Sequence, residues 1–224
     1  MNQPIRTFVL RKGKMSTAQK RSYNELYAIH CINKNRDILD TALLFGNNNP
    51  LIIEIGFGMG RATAEIADKN PDKNYLGIEV HKAGIGRLLW EIDKRELKNI
   101  KIAEDDAKEF ILYRIADNTV SGFHIFFPDP WPKKRHHKRR LVTRPFTDLL
   151  KDKLLTGAYI YFASDWEDYC DWSFKELSNT PFLANKYSAF AERQAWRPDT
   201  EFELKGILKK HLVKELFFEK KVFE

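Results

Sequence analysis

Cysteine is nearly absent: Cys31 and Cys170 stand alone in 224 residues, without paired spacing. A cross-linked secreted scaffold is therefore excluded, and a reducing cytoplasm fits. No apolar run approaches the roughly eighteen residues that a membrane helix needs. The Lys-rich, irregular start does not read as a signal peptide, although basic tails of this kind also serve as organellar transit peptides. Internal repeats and low-complexity tracts are missing. The histidines lack metal spacing: His30, His81, His124 and His211 are scattered, and His136-His137 lie in a cationic run that repels a divalent ion, so no metal is expected. Acidic residues are scarce at the start of the chain, where Glu25 is the only acid in residues 1–36 against eight Lys or Arg.

What is present is unevenly distributed. Residues 1–36 carry +7 and residues 133–140 carry +6, so a chain of net charge +7 has a body of −6. Basic charge concentrated in two places on an acidic body suits a phosphate backbone better than a generally sticky surface. The second basic segment, Lys133-Lys134-Arg135-His136-His137-Lys138-Arg139-Arg140, directly follows Phe126-Phe127-Pro128-Asp129-Pro130-Trp131-Pro132. A proline-stiffened, carboxylate-bearing loop thus adjoins a polyanion grip; a solvated surface loop is the plain alternative.

The first breaker cluster, Gly46-Asn47-Asn48-Asn49-Pro50, marks entry to the folded core. From there, short apolar runs alternate with amphipathic ones: 51–55 then 61–69, 75–80 then 82–96, 100–103 then 107–115. Further strands are expected over 123–127 and 158–163, and helices over 145–155 and 166–177, with Pro145 at a first helical position and Ser164 and Glu167 as a possible capping box. Near-continuous apolar strands alternating with helices predict an α/β fold with a mostly parallel sheet covered on both faces. Residues 200–205 and 212–218 look like a closing pair of strands, although 212–218 also suits a short helix. Tyr23, Leu26, Tyr27 and Ile29 have partial helical spacing; residues 1–20 have none and are expected to be mobile without a ligand.

The strand Leu51–Ile55 runs into Gly56-Phe57-Gly58-Met59-Gly60, where the backbone turns sharply and admits a ligand closely. Glu79, at the end of the next strand, has the spacing of acids that accept bonds from ribose hydroxyls. A phosphate-gripping loop needs Gly-Lys-Ser/Thr, which is absent, so nucleoside triphosphate hydrolysis is disfavoured. A dinucleotide fold prefers the third glycine one residue later, and Glu54 opposes a pyrophosphate while favouring an ammonium or sulfonium centre. S-adenosylmethionine carries both and no phosphate. Of Asp105 and Asp106, after the third strand, either can accept from an adenine amino group or cap the following helix.

These motifs, with Gly77-Ile78-Glu79-Val80-His81, the Pro-Asp-Pro-Trp loop and Lys138-Arg139-Arg140, resemble the bacterial tRNA (guanine-N7)-methyltransferase family. Arg6-Thr7-Phe8-Val9, Ser164-Asp165-Trp166-Glu167 and Thr200-Glu201-Phe202-Glu203 also match that family's segments, so the likeness covers nearly the whole chain. It implies a Rossmann-like class I S-adenosylmethionine-dependent methyltransferase fold with a seven-stranded sheet. A basic tail and helix over 1–40 would precede a methyltransferase domain over 41–224. The implied activity is methyl transfer from S-adenosylmethionine to the variable-loop guanine at tRNA position 46, with tRNA as partner. The resemblance implies Glu54, Glu79, Asp106 and Asp129 as cofactor-site residues beside Gly56, Gly58 and Gly60, with Asp129 also catalytic. Lys133, Asp165, Thr200, Glu201, Phe202 and Glu203 would contact substrate, and Arg135, His136, His137, Lys138, Arg139 and Arg140 would touch RNA. Trp131 either stacks on the base or packs under its loop. The alternatives are a methyltransferase acting on another RNA or a protein, and a non-catalytic RNA-binding module.

Overall fold

The computed structural model describes residues 5–9, 14–200, 203 and 212–222. Helix α1 (Thr17–His30) opens on a reciprocal Ser16–Gln19 capping box and is followed by the short α2 (Thr41–Phe45). Then strands and helices take turns: β1 (Leu51–Ile55), α3 (Arg61–Lys69), β2 (Asn74–Glu79), α4 (Lys82–Arg95), β3 (Ile100–Glu104), α5 (Ala107–Arg114), β4 (Val120–Phe126), α6 (Arg144–Lys153), β5 (Leu154–Ser164), α7 (Glu167–Ser178), β6 (Leu183–Asn185) and β7 (Lys214–Lys220). A six-residue 3₁₀ helix, Lys134–Arg139, lies between β4 and α6. The sheet runs β3-β2-β1-β4-β5-β7-β6, parallel from β3 to β5, with β7 antiparallel between β5 and β6.

Strand alternation divides the core in two. Leu51, Ile53 and Ile55 enter one apolar cluster with Phe110, Phe146 and Phe162, while Ile52 enters the other with Ala64, Ile66, Leu88 and Tyr161. Glu54 shares the face of Ile52, so a carboxylate stands where the pattern calls for an apolar side chain. Cys31 and Ile32, just after α1, join these cores, and Cys31 bridges to Ile102 of β3. At Gly86 a Cβ would meet the Gln19 carbonyl at 2.5 Å, which fixes how closely α1 lies on α4.

Two expectations are revised. The closing antiparallel partner of β7 within the C-terminal third is β6 at 183–185, while Glu203 is helical and residues 201–202 and 204–211 lie outside the described residues. Ser164 and Glu167 form no capping box, because Ser164 Oγ accepts from the Trp166 amide and Glu167 pairs with Lys214. Within the basic run, residues 134–139 form a 3₁₀ turn with no buried residue in it, and Arg140, which follows the turn, is buried. Among the described residues, no helix is long and apolar enough to cross a membrane.

Candidate active site

Strand order reverses between β1 and β4, and at such a switch point the loops leaving two adjacent parallel strands diverge and leave a crevice. The glycine turn leaves β1 and the Pro128–Pro130 loop leaves β4, so both motifs meet at one carboxyl edge. Gly56, Gly58 and Gly60 have φ of 72°, 58° and 69°, a left-handed region costly for residues with a Cβ. Around Gly56 and Gly58 a Cβ would find nothing within 4 Å, so the glycines leave open space beside the backbone. Glu79 holds this turn from below: one carboxylate oxygen accepts from the Gly58 amide at 2.9 Å and the other from Val80 and His81 at 2.7 and 3.0 Å.

Two cavities flank the turn and share Gly56, Gly58, Met59 and Phe127. One, about 690 Å³, has Glu79, Asp105 and Asp129 on its walls, with Thr7, Phe8 and Val9 from the N-terminal segment. The other, about 580 Å³, is bounded by Glu54, Arg61, Glu65 and the segment 193–200. Glu54 is 3% exposed, and its Oε2 has no hydrogen-bond partner among the described residues. Burial pushes its pKa up to about 8; the Thr63 hydroxyl opposes this and the Glu79 carboxylate adds to it. An orphaned buried acceptor on a cavity wall calls for a cationic donor, and the glycine turn admits a ligand backbone-close. Those two features, with the Glu79 carboxylate, fit S-adenosylmethionine.

Asp129 is exposed at the cavity mouth. Its loop is flanked by Phe127 (φ 49°) and Trp131 (φ 47°), two residues in a conformation that aromatic side chains seldom adopt, which points to a loop held by its surroundings. The restraints are visible. Arg140 donates to the Pro130 carbonyl at 3.0 Å, Phe127 N donates to Ala163 O at 2.8 Å, and the Trp131 indole N–H donates to Thr7 O at 3.0 Å. The Arg139 guanidinium sits 4.7 Å over the Trp131 ring and His136 meets its edge, so the indole packs within the protein. Lys133, Arg135 and Lys138 are exposed beside this loop, with His136, His137 and Arg139 half-buried. Partial desolvation and then the Arg135 and Arg139 charges lower the His136 pKa.

Arg140 departs from its expected place on the RNA-facing surface. Its side chain is fully buried, pairs with Asp168, and packs against the Tyr169 and Trp172 rings at 5.0 and 5.1 Å. A guanidinium so enclosed braces the Asp129 loop and does not reach a phosphate. Thr200 and Glu203 form a capping box, with Glu203 N donating to Thr200 Oγ1 at 3.1 Å and Thr200 N to Glu203 Oε2 at 3.4 Å. Glu203 is buried between Arg193 and Arg197, leaving Thr200 as the described residue of this motif on a cavity wall. Glu201 and Phe202 lie outside the described residues. Asp106 caps α5 through Oδ1, accepting from Lys108 N at 2.9 Å, while its neighbours Asp105 and Ala107 line the cavity. Asp165 is half-buried just beyond β5, at the same sheet edge.

His124 is a core residue, as its apolar strand suggests: it is 1% exposed, stacked on Trp196 at 4.6 Å, and held to a pKa of about 3 by burial and then by Lys73. Among the described residues, no group of three or more His, Cys, Asp or Glu is arranged to hold a metal. Sequence reasoning missed Gly84, where a Cβ would lie 1.9 Å from Gly58 O. Its signal was there, two glycines at 84 and 86 inside an amphipathic helix. Arg193 and Arg197 carried no such signal.

Comparison with known proteins agrees with this geometry. The family described as "Putative methyltransferase" matches residues 48–216. A tRNA (guanine-N(7)-)-methyltransferase of Nitrosospira multiformis is 43% identical over 98% of this chain and 96% of its own length. One of Methylobacillus flagellatus is 44% identical over 98% and 92%. The crystal structure of the 16S rRNA methyltransferase KamB superposes with a TM-score of 0.62 over 86% of this chain and 99% of its own, at 12% identity, and so shares the fold. With near-complete coverage at this identity and its motifs gathered at one sheet edge, the chain belongs to the tRNA (guanine-N7)-methyltransferase family.

Proposed function

We propose that this chain methylates N7 of a tRNA guanine, at position 46 of the variable loop, using S-adenosylmethionine. The observation that carries the reading is the placement of Asp129: an exposed carboxylate on a braced loop at the cavity mouth, next to a 3₁₀ turn of exposed cations. S-adenosylmethionine supplies, when bound, an electrophilic methyl group on a cationic sulfur. Guanine N7 offers its lone pair at the major-groove edge without losing a proton, so no general base is required.

What the residues do is position and offset charge. Asp129 accepts from the guanine N1–H and amino group, and its negative charge offsets the positive charge that arrives on the purine. Pro128, Pro130 and the Arg140 brace keep that carboxylate from relaxing away. Glu79 serves the ribose hydroxyls while holding Gly58, Asp106 the adenine, and Glu54 the ammonium. Lys133, Arg135, Lys138 and Arg139 neutralise phosphates around the target, with His136 and His137 beside them. Asp165, Thr200, Glu201 and Phe202 complete the proposed substrate side, while Glu203, buried against Arg193 and Arg197, holds Thr200 in place.

Transfer of a labelled methyl group into unmodified tRNA, followed by strand cleavage specific for N7-methylated guanine, tests the proposal. A single cleavage at position 46 is expected. Label in protein, in another RNA or on another atom of guanine would overturn it.

A further inference from the structure

Among the described residues no hydrogen bond or ion pair holds the Asp129 carboxylate, so the backbone of its loop sets where it points. That backbone is in a rare conformation at Phe127 and Trp131, and it relaxes unless it is pinned. One residue past Asp129, the Pro130 carbonyl accepts from Arg140 Nε at 3.0 Å, and the proline ring fixes φ next to that point. The aim of Asp129 therefore depends on what holds the Arg140 guanidinium.

Three side chains of α7 hold it: Asp168 accepts from Nη2, and the Tyr169 and Trp172 rings lie 5.0 and 5.1 Å from Cζ. A ring face attracts a cation but gives it little direction. The two rings also fix the main chain beyond Arg140, since the Tyr169 hydroxyl accepts from Leu141 N and Val142 N, and Trp172 Nε1 donates to Val142 O at 2.7 Å. An ionised hydrogen bond is directional, and the one to Asp168 fixes the guanidinium within its own plane, the plane in which Nε–H points at Pro130. The remaining nitrogen, Nη1, has no partner among the described residues and cannot take over that task. Asp168 also balances the charge of a side chain that is fully buried. The Arg140 hydrogen bond holds the Asp168 carboxyl below the usual carboxylate range, so it is ionised at neutral pH.

We propose that Asp168 is a positioning residue for methyl transfer: through the Arg140 guanidinium it fixes the Pro130 carbonyl, and with it the direction in which Asp129 meets the purine. The assignment rests on the reading of Asp129 above. The same carboxylate lies 3.9 Å from Nε2 of His137, an atom with no hydrogen-bond partner among the described residues. Asp168 thus stands between the cationic turn and the loop that meets the base. An acid in the first turn of α7 also favours the helix itself, so positioning and scaffold have to be separated by experiment.

The test is a double-mutant cycle on single-turnover methyl transfer into unmodified tRNA, with the full chain and S-adenosylmethionine both saturating. Asp168→Asn keeps the shape and removes the charge. It is expected to slow transfer about ten- to a hundredfold, while the affinities for S-adenosylhomocysteine and tRNA change less than about twofold. In the Asp129→Asn background the same change is expected to slow transfer less than about twofold, because no carboxylate is left to aim. Equal losses in both backgrounds would show that Asp168 only supports the fold, and an unaltered rate in Asp168→Asn would show that it does not act on the loop; either result overturns the assignment. If Asp168→Asn does not fold, Asp168→Glu, which keeps the charge and moves the carboxylate by one methylene, enters the same cycle with the same two readings. A near-normal rate in Asp129→Asn alone would overturn the reading of Asp129 itself, and this assignment with it.

Discussion

Glu54 makes cofactor affinity a function of pH, and the size of the effect follows from its burial. Its carboxyl is expected to be mostly protonated at neutral pH, because its pKa stands at about 8 against an ordinary 4.5. To pair with an ammonium it must first lose that proton, at a cost of about 1.4 kcal/mol for each pH unit below 8. The dissociation constant for S-adenosylhomocysteine should therefore fall close to tenfold between pH 6 and pH 7, with nearly one proton released per ligand bound. Keeping below pH 7.5 leaves the ligand's own ammonium charged. Stability of the free protein runs the other way. A folded-state pKa raised above the unfolded one gives stability that is full below pH 4.5 and lost as pH climbs through 8, on the order of 3 kcal/mol of it by pH 7. Titration calorimetry in two buffers of different ionisation heat reads the released proton, and denaturant unfolding across pH reads the stability term. Glu54→Gln should flatten both slopes. An affinity independent of pH from 6 to 7.5, without proton release, would refute the reasoning.

The other predictions separate chemistry, grip and scaffold. Asp129→Asn should slow single-turnover methyl transfer at least a hundredfold, an offset of roughly 3 kcal/mol, while S-adenosylhomocysteine binding stays within about twofold; a near-normal rate would remove Asp129 from its role. Replacing Arg135 and Lys138 by Gln should weaken tRNA binding and reduce the salt slope by up to about 2, read from binding isotherms at several salt concentrations. Arg140→Met should leave that slope unchanged but lower stability by about 2–4 kcal/mol, since the buried guanidinium braces the loop; a shallower slope would return Arg140 to the phosphates. Gly84→Ala should cost about 1–3 kcal/mol in unfolding and weaken cofactor binding, because the added methyl forces the α4 terminus away from the Gly58 carbonyl.

The sequence alone determined the alternation of strands and helices, the glycine turn with Glu79, and the loop at Asp129, because each of these is written in adjacent residues: side-chain period, conformational freedom of glycine, proline rigidity. The resemblance then placed them in a family, which the near full-length relatives show. Tertiary structure alone decided which cations face outward. Lys133 and Arg140 look alike in a basic run, yet one is exposed and the other is sealed between Tyr169 and Trp172, a distinction made by α7, which lies some thirty residues away. It also decided that Thr200 and Glu203 cap one another, and that Arg197 lines the same cavity as Glu54 although 143 positions separate them in the chain. Local patterns cannot report such pairings, because the partners meet only when the sheet brings β1 and the strands after it to one edge.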